Sequence, residues 1–113
     1  DIPVTKYVRM RTLRCDGVDF ELGAMEKALA VSKVSTLVLT RCSVSPSDVN
    51  GIGNAGHITT LLLIDCVLSE KSVYALCSLQ KVRRLEIVSH PASEIIKQIG
   101  RLRVCLPKCD IVL

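Results

Sequence analysis

Apolar residues along this chain follow two spacings that recur at a fixed interval. Three stretches, 34–44, 58–68 and 82–92, each contain apolar residues two positions apart, and their starts are evenly spaced along the chain. In the first stretch Leu37 and Leu39 share one face of a predicted strand, while the residue between them points to the opposite face. The recurrence predicts that the chain is an array of one small strand-containing unit.

After each predicted strand the apolar residues shift to the spacing of a helix. The residues with this spacing are Leu22, Met25, Ala28 and Leu29; Val49 and Ile52; Val73, Leu76 and Leu79; and Ile96, Ile99 and Leu102. Residues that favour helix starts precede three of these runs, namely Ser45 with Pro46, Ser69 before Glu70, and Pro91 with Ser93. The pattern predicts an α/β fold with about five short parallel strands and about four helices, wound in the right-handed sense of crossover connections.

The repeat spacing sets the expected boundaries within a single domain over 1–113. The predicted repeats are 7–33, 34–57, 58–81 and 82–105, and a terminal strand occupies 106–113, one further repeat step along the chain. The first repeat is aligned by placing Cys15 in the position of Cys42, which makes the first step longer than the others. This alignment makes the first repeat degenerate, as terminal repeats commonly are. Because the chain begins at Asp1 rather than Met, we expect it to be a shortened or processed form of a protein.

The shared pattern is apolar-x-x-Leu-x-Leu-x-x-Cys-x-apolar. It is clearest around Leu37, Leu39 and Cys42, and it returns one step later around Cys66; in the third stretch His90 replaces the Cys. The pattern resembles the signature of the leucine-rich repeat family in its cysteine-containing subtype. This resemblance implies a short horseshoe-shaped solenoid with a concave sheet and convex helices, a module that binds other proteins, and buried thiols that hydrogen-bond to the backbone of neighbouring loops.

Strand residues that point away from the core form the candidate binding surface. By the repeat register, Val38, Leu62, Ile64 and Val88 make an apolar patch on the concave face. The charged residues expected beside it are Arg11, Arg14, Arg41, Asp65, Arg84 and Glu86. Protein interfaces are built from an apolar centre with a charged, Arg-containing rim. We therefore predict that a protein partner, or another part of a larger assembly, covers this patch.

Two other functions stay open at this point. The basic residues near the first strand would suit RNA or an acidic surface; they are Lys6, Arg9, Arg11, Arg14 and Arg41. The net charge is only +4, and the chain has three aromatic residues. So few aromatic side chains disfavour the base stacking by which single-stranded nucleic acid is bound. A structural subunit of a larger complex would instead self-associate through its exposed sheet or its terminal coils.

Six cysteines raise the question of disulfides or metal. Cys15, Cys42 and Cys66 are assigned equivalent repeat positions, and Cys77 and Cys105 lie beside apolar helical positions. We expect free, buried thiols and hence an intracellular, reducing compartment, cytoplasmic or nuclear. The chain has no Cys-x-x-Cys pair, so no metal site is predicted.

The chain is not expected to be an enzyme or to hold a cofactor. Cys66 and His90 would be neighbours on adjacent units, but the repeat alone produces that proximity, so it is poor evidence for a catalytic pair. The glycines of 51–56 fall within or at the end of a predicted helix, not between a strand and a helix as a phosphate-binding loop requires. The apolar run 61–64 is far shorter than the about 20 residues that a membrane span needs.

Overall fold

A computed structural model describes residues 12–30, 34–88 and 100–112 of the chain. Five parallel strands form one sheet in the order β1-β2-β4-β6-β7, with bounds Thr12–Asp16, Thr36–Thr40, Thr60–Ile64, Arg84–Val88 and Asp110–Val112. A second sheet pairs β3, Ser43–Val44, with β5, Val67–Leu68. The helices are α1, Ala24–Ala30; α2, Pro46–Ala55; and α3, Glu70–Leu76; residues 100–105 are also helical. The predicted α/β class and the five-stranded parallel sheet are confirmed, whereas the small second sheet was not predicted.

The strand register corrects the predicted alignment of the first repeat. Cys15 lies opposite Leu39, and Arg14 lies opposite Val38. The first four strands of the large sheet thus start at equal steps along the chain. The predicted longer first step, which placed Cys15 in the position of Cys42, is wrong. The physical reason is alternation: Leu13 and Cys15 are two residues apart and continue the inward rows of the next strand.

The last strand departs from the repeat in the other direction. Asp110 lies opposite Arg84, and Ile111 lies opposite Leu85, so the final step is longer than the earlier ones. The predicted terminal strand one further repeat step along, which would place Lys108 opposite Arg84, is wrong in register, because a turn over 107–109 takes up additional residues before β7 begins. This turn carries Lys108 and Cys109 outside the sheet.

The core lies between the large sheet and the helices. Leu37, Leu61 and Leu85 form one fully buried row across three neighbouring strands. Buried helical residues join them in one cluster; they include Met25, Leu29, Val49, Ile52, Val73 and Leu76. Each fully buried side chain of this size stabilises the fold by roughly 1.5–3 kcal/mol. Adjacent helices also pack against one another, α1 on α2 and α2 on α3.

Two of the predicted helix starts are confirmed. Ser45 caps α2 by accepting a hydrogen bond from the backbone of Asp48, and the Asp48 carboxylate accepts one from the Ser45 backbone. Ser69 caps α3, and the fully buried Ser72 hydroxyl donates to the Val44 carbonyl at 2.7 Å. The third predicted start, Pro91 with Ser93, lies outside the described residues.

Glycines in and after α2 have two structural tasks. Gly56 ends the helix in a left-handed conformation, with φ of 70°. Gly51 lies where α1 and α2 touch: a Cβ there would sit 3.1 Å from the backbone nitrogen of Glu26. The interpretation of 51–56 as part of a helix and its end is confirmed.

No helix in the described residues has both the length and the apolar character needed to cross a membrane.

Candidate binding surface

The register fixes which side chains share the outer face of the large sheet, the face opposite the core. Three rows run across the strands there: Thr12, Thr36, Thr60, Arg84 and Asp110; Arg14, Val38, Leu62, Glu86 and Val112; and Asp16, Thr40, Ile64 and Val88. The structure therefore brings Leu62, Ile64 and Val88 together with Arg84 and Glu86, as predicted. Arg14 joins the central row because of the corrected register, and Arg11 lies outside the described residues.

The exposure of the predicted apolar residues corrects one of them. Val38 is only 4% exposed, so it offers almost no surface to a partner. It is a short side chain on an inner strand, and its register neighbours Arg14 and Leu62 are longer. Val88, in contrast, is 44% exposed.

Leu62 and Ile64 are partly exposed and lie in adjacent rows on β4, beside β6. We call Leu62, Ile64 and Val88 the outer apolar patch. Val112, at the edge of the sheet in the central row, is also partly exposed, whereas Val38 of the predicted group of four is buried.

One side of the rim is an ion pair at the carboxyl ends of the strands. The Arg41 guanidinium donates two hydrogen bonds to the Asp16 carboxylate, at 3.0 Å from Nε and 2.6 Å from Nη2. The hydrogen bond to Asp16 and the charge of Asp16 raise the pKa of Arg41, and the nearby charge of Asp65 adds to this. Both paired side chains are solvent-exposed, so the pair fixes the direction of Arg41 more than it stabilises the fold.

A left-handed backbone conformation places Arg41 and Asp65 at that edge. Gly17, Arg41 and Asp65 follow their strands at the same repeat position, with φ of 66°, 53° and 51°. Each donates its backbone N–H to a carbonyl of the next strand at 2.7–2.8 Å. Sequence reasoning missed this turn, because an arginine gives no signal for a conformation that favours glycine.

The other side of the rim is a charged cluster at the start of β6. Arg84 Nη2 lies 3.5 Å from the Glu86 carboxylate, and Arg84 Nη1 lies 3.9 Å from the Asp110 carboxylate. Arg84 is thus shared between two carboxylates. A charged partner would therefore meet a cation flanked by two carboxylates rather than an unpaired cation.

The repeat cysteines bond to the backbone as the resemblance implies. Cys42 donates its thiol to the carbonyls of Cys15 and Thr40, at 3.5 and 3.4 Å, and Cys66 donates to that of Leu39 at 3.1 Å. Cys42 is buried, whereas Cys15 and Cys66 are partly exposed. Burial is the main cause that raises the pKa of the Cys15 and Cys66 thiols, which keeps them protonated and poorly nucleophilic.

The prediction of free thiols is wrong at Cys77 and Cys105, which form a disulfide with their Cα atoms 5.5 Å apart. Cys77 follows α3 and Cys105 lies in the next helical segment, so stacking of adjacent helices brings them together. Gln80 reinforces the link by donating to both cysteine carbonyls, at 2.9 and 3.1 Å. Disulfides persist mainly in oxidising compartments. The reducing compartment therefore stays a prediction, and this pair does not support it.

No three His, Cys, Asp or Glu side chains are grouped as metal ligands in the described parts of the chain. His57 is exposed, and His90, the other half of the Cys66–His90 pair, lies outside the described residues.

Comparison of the chain with models of protein families, with curated proteins and with solved structures found no match.

Proposed function

We propose that this chain is a leucine-rich repeat module that binds a protein partner through the outer face of its sheet. In this proposal the strands form the concave side of a short right-handed horseshoe, and the helices form its convex side. Three features support it: the equal steps between the first four strands of the large sheet, the parallel pairing in chain order, and the thiol-to-backbone bonds at the repeat cysteines.

The observation that carries the binding proposal is the outer apolar patch. Val88 is 44% exposed at the end of β6, and Leu62 and Ile64 lie on the neighbouring strand. Exposed apolar side chains on a strand contribute nothing to the core beneath them, whereas a contiguous apolar centre with a polar rim is what a protein interface requires. The rim here carries both charge signs, which gives a partner positions to match.

The RNA alternative has weaker support. Of its five predicted basic residues, Arg41 is paired with Asp16, Arg14 is exposed on β1, and Lys6, Arg9 and Arg11 lie outside the described residues. A permanent structural role would use the same outer apolar patch, covered by another chain or a second copy. The two forms of protein binding differ in whether the isolated chain is monomeric.

A double charge substitution tests the proposal. Leu62→Glu with Val88→Glu is expected to abolish recovery of the partner in a quantitative pull-down from extract of the source organism. Val38 is left unchanged, because a carboxylate at that buried position would disrupt the fold. Val104→Glu is the matched control, since this valine is 80% exposed on the 100–105 helix.

Circular dichroism establishes that both variants fold. Loss of the same proteins from both variants would mean general electrostatic interference and would refute the proposal. Full recovery by the double variant would refute it as well.

A further inference from the structure

Positive charge is concentrated at the amino-terminal ends of the last two strands. Residues 80–84 and 100–112 contain six of the 15 basic residues and one of the 11 acidic residues, a formal charge of +5 against +4 for the whole chain. The six are Lys81, Arg83, Arg84, Arg101, Arg103 and Lys108. The rest of the chain, in which acidic residues offset the basic residues near the first strand, sums to −1, the difference between +4 and +5.

Two turns at this end enclose a cleft of about 190 Å³. Arg83 and Gln80 line it from the turn before β6, and Lys108 lines it from the turn before β7. Three links hold the turns together: the Asp110 N–H donates to the Arg83 carbonyl at 2.7 Å, Gln80 donates to the Cys105 carbonyl, and the disulfide joins the adjoining helices. We call this site the C-terminal cleft. Its two walls are fixed relative to each other before any ligand arrives.

The cations at this end differ in how far they are already engaged. Arg84 is shared between Glu86 and Asp110, and Arg101 stacks over the Tyr74 ring at 4.2 Å. Arg83 donates from Nη1 to the Gln80 carbonyl at a long 3.4 Å, which leaves the rest of its guanidinium fork available. Among the described residues Lys108 makes no ion pair under 4.0 Å. The two cations that line the cleft thus make no ion pair under 4.0 Å with the described residues.

We propose that the C-terminal cleft binds a phosphomonoester, the group carried by a phosphorylated side chain of a peptide. The guanidinium fork of Arg83 matches the geometry of phosphate oxygens, and the Lys108 ammonium adds a second charge. The cleft volume of about 190 Å³ is several times the roughly 30 Å³ that one water molecule occupies in the liquid. The cleft can therefore accommodate one phosphate group.

The other residues that line the cleft indicate which class of molecule bears the phosphate group. Pro107 is exposed and gives the carrier an apolar contact at the cleft, whereas Val82 and Leu106 line it with side chains that are each only 3% exposed. A nucleic acid strand would require a line of cations along several phosphates and aromatic side chains for its bases. The lining of the cleft has a single pair of cations and no aromatic residue.

The cleft and the outer apolar patch are separate sites. Arg83 precedes the first residue of β6, and Val88 is its last residue. A strand of this length separates them by roughly 15 Å. Phosphate binding therefore does not depend on the proposed function and can fail or succeed on its own.

Nuclear magnetic resonance titration of the full chain tests the proposal. The probes are a short phosphoserine peptide, its unphosphorylated twin, inorganic phosphate, and a single-stranded DNA oligonucleotide, all at matched ionic strength. The phosphopeptide is expected to shift the backbone amides of 80–83 and 106–109 saturably, the free phosphate to shift the same amides more weakly, and the unphosphorylated twin to leave them unchanged.

Substitution of the two lining cations provides the second readout. Arg83→Gln with Lys108→Gln is expected to weaken phosphopeptide binding by at least about tenfold, because two charge-assisted contacts are lost. Lys27→Gln with Lys71→Gln is the matched control: it removes the same charge from exposed helical positions and should leave binding unchanged. The Leu62→Glu, Val88→Glu variant should also bind the phosphopeptide normally.

Three results would overturn the proposal. The first is an absence of localised shifts with the phosphopeptide. The second is equal weakening in the lining and control variants, which would indicate general attraction to a basic protein. The third is tighter binding of the oligonucleotide with a steep salt dependence, which would identify nucleic acid as the ligand class.

Discussion

Two adjacent leucines on β4 provide a direct test of which face of the sheet is the core. Leu61 is 0% exposed and lies between Leu37 and Leu85, whereas Leu62 points to the outer face and is partly exposed. Truncation of a buried leucine to alanine costs about 2–5 kcal/mol, through lost transfer free energy and the cavity that remains. For Leu62→Ala we expect less than about 1 kcal/mol, because part of the side chain is already in water and no closed cavity forms.

The difference translates into a large shift in melting temperature. The unfolding entropy of about 2.1 cal/mol/K per residue gives a chain of 113 residues about 4 °C per kcal/mol. Leu61→Ala should therefore lower the melting temperature by roughly 8–20 °C, and Leu62→Ala by less than about 4 °C. Thermal and urea unfolding followed by circular dichroism measure both variants. Equal losses, or a larger loss at Leu62, would refute the assignment of core and outer face.

Cysteine labelling, glycine substitution and pH each test a separate part of the structure. Alkylation of the unfolded, unreduced chain should label four of the six cysteines, because Cys77 and Cys105 form a disulfide, and alkylation after reduction should label all six. Six labels before reduction would contradict the disulfide. Gly51→Ala should destabilise the protein, because the new Cβ would meet the α1 backbone. In Gly100→Ala the new Cβ meets nothing within 4 Å, so this change should stabilise the protein by up to about 1 kcal/mol. Urea unfolding should therefore give a higher midpoint for Gly100→Ala than for Gly51→Ala, and the reverse order would contradict the helix contact. Burial raises the pKa of Cys66, so its stabilising contribution is complete below about pH 8.5 and is lost as the pH rises through the raised pKa. The unfolding free energy should fall less steeply between about pH 8.5 and 10 in Cys66→Ala, and identical slopes would count against this.

Much of the fold could be predicted from the sequence because apolar residues recur with different periods in strands and in helices. Alternation at Leu37, Leu39, Leu61 and Leu63 was sufficient to locate β2 and β4, and their register follows from the constant repeat step. Helix starts at Ser45 and Ser69 were equally visible, because a capping hydroxyl acts on the next turn of the chain. Features determined by neighbours in sequence were therefore predictable.

Features determined by neighbours in space were not. The cysteine motif misplaced β1, since the inward row accepts a thiol as readily as a leucine and Cys15 occupies that row. The Cys77–Cys105 disulfide depends on how closely two helices stack. Val38 is only 4% exposed although its strand position points to the outer face, and spacing along the chain gives no sign of this. For the same reason the C-terminal cleft was not visible: the turn of 107–109 moves Lys108 out of the sheet and places it across from Arg83.

The most direct test of the central claim places a photo-crosslinker on the outer apolar patch. The residue p-benzoylphenylalanine is introduced in place of Val88 in one variant and of Val104 in another, and each is irradiated in extract of the source organism. We predict a discrete crosslinked protein from position 88 that is absent from position 104 and is lost when Leu62→Glu is added. The same crosslinks from both positions, or none from position 88, would contradict the proposed binding surface.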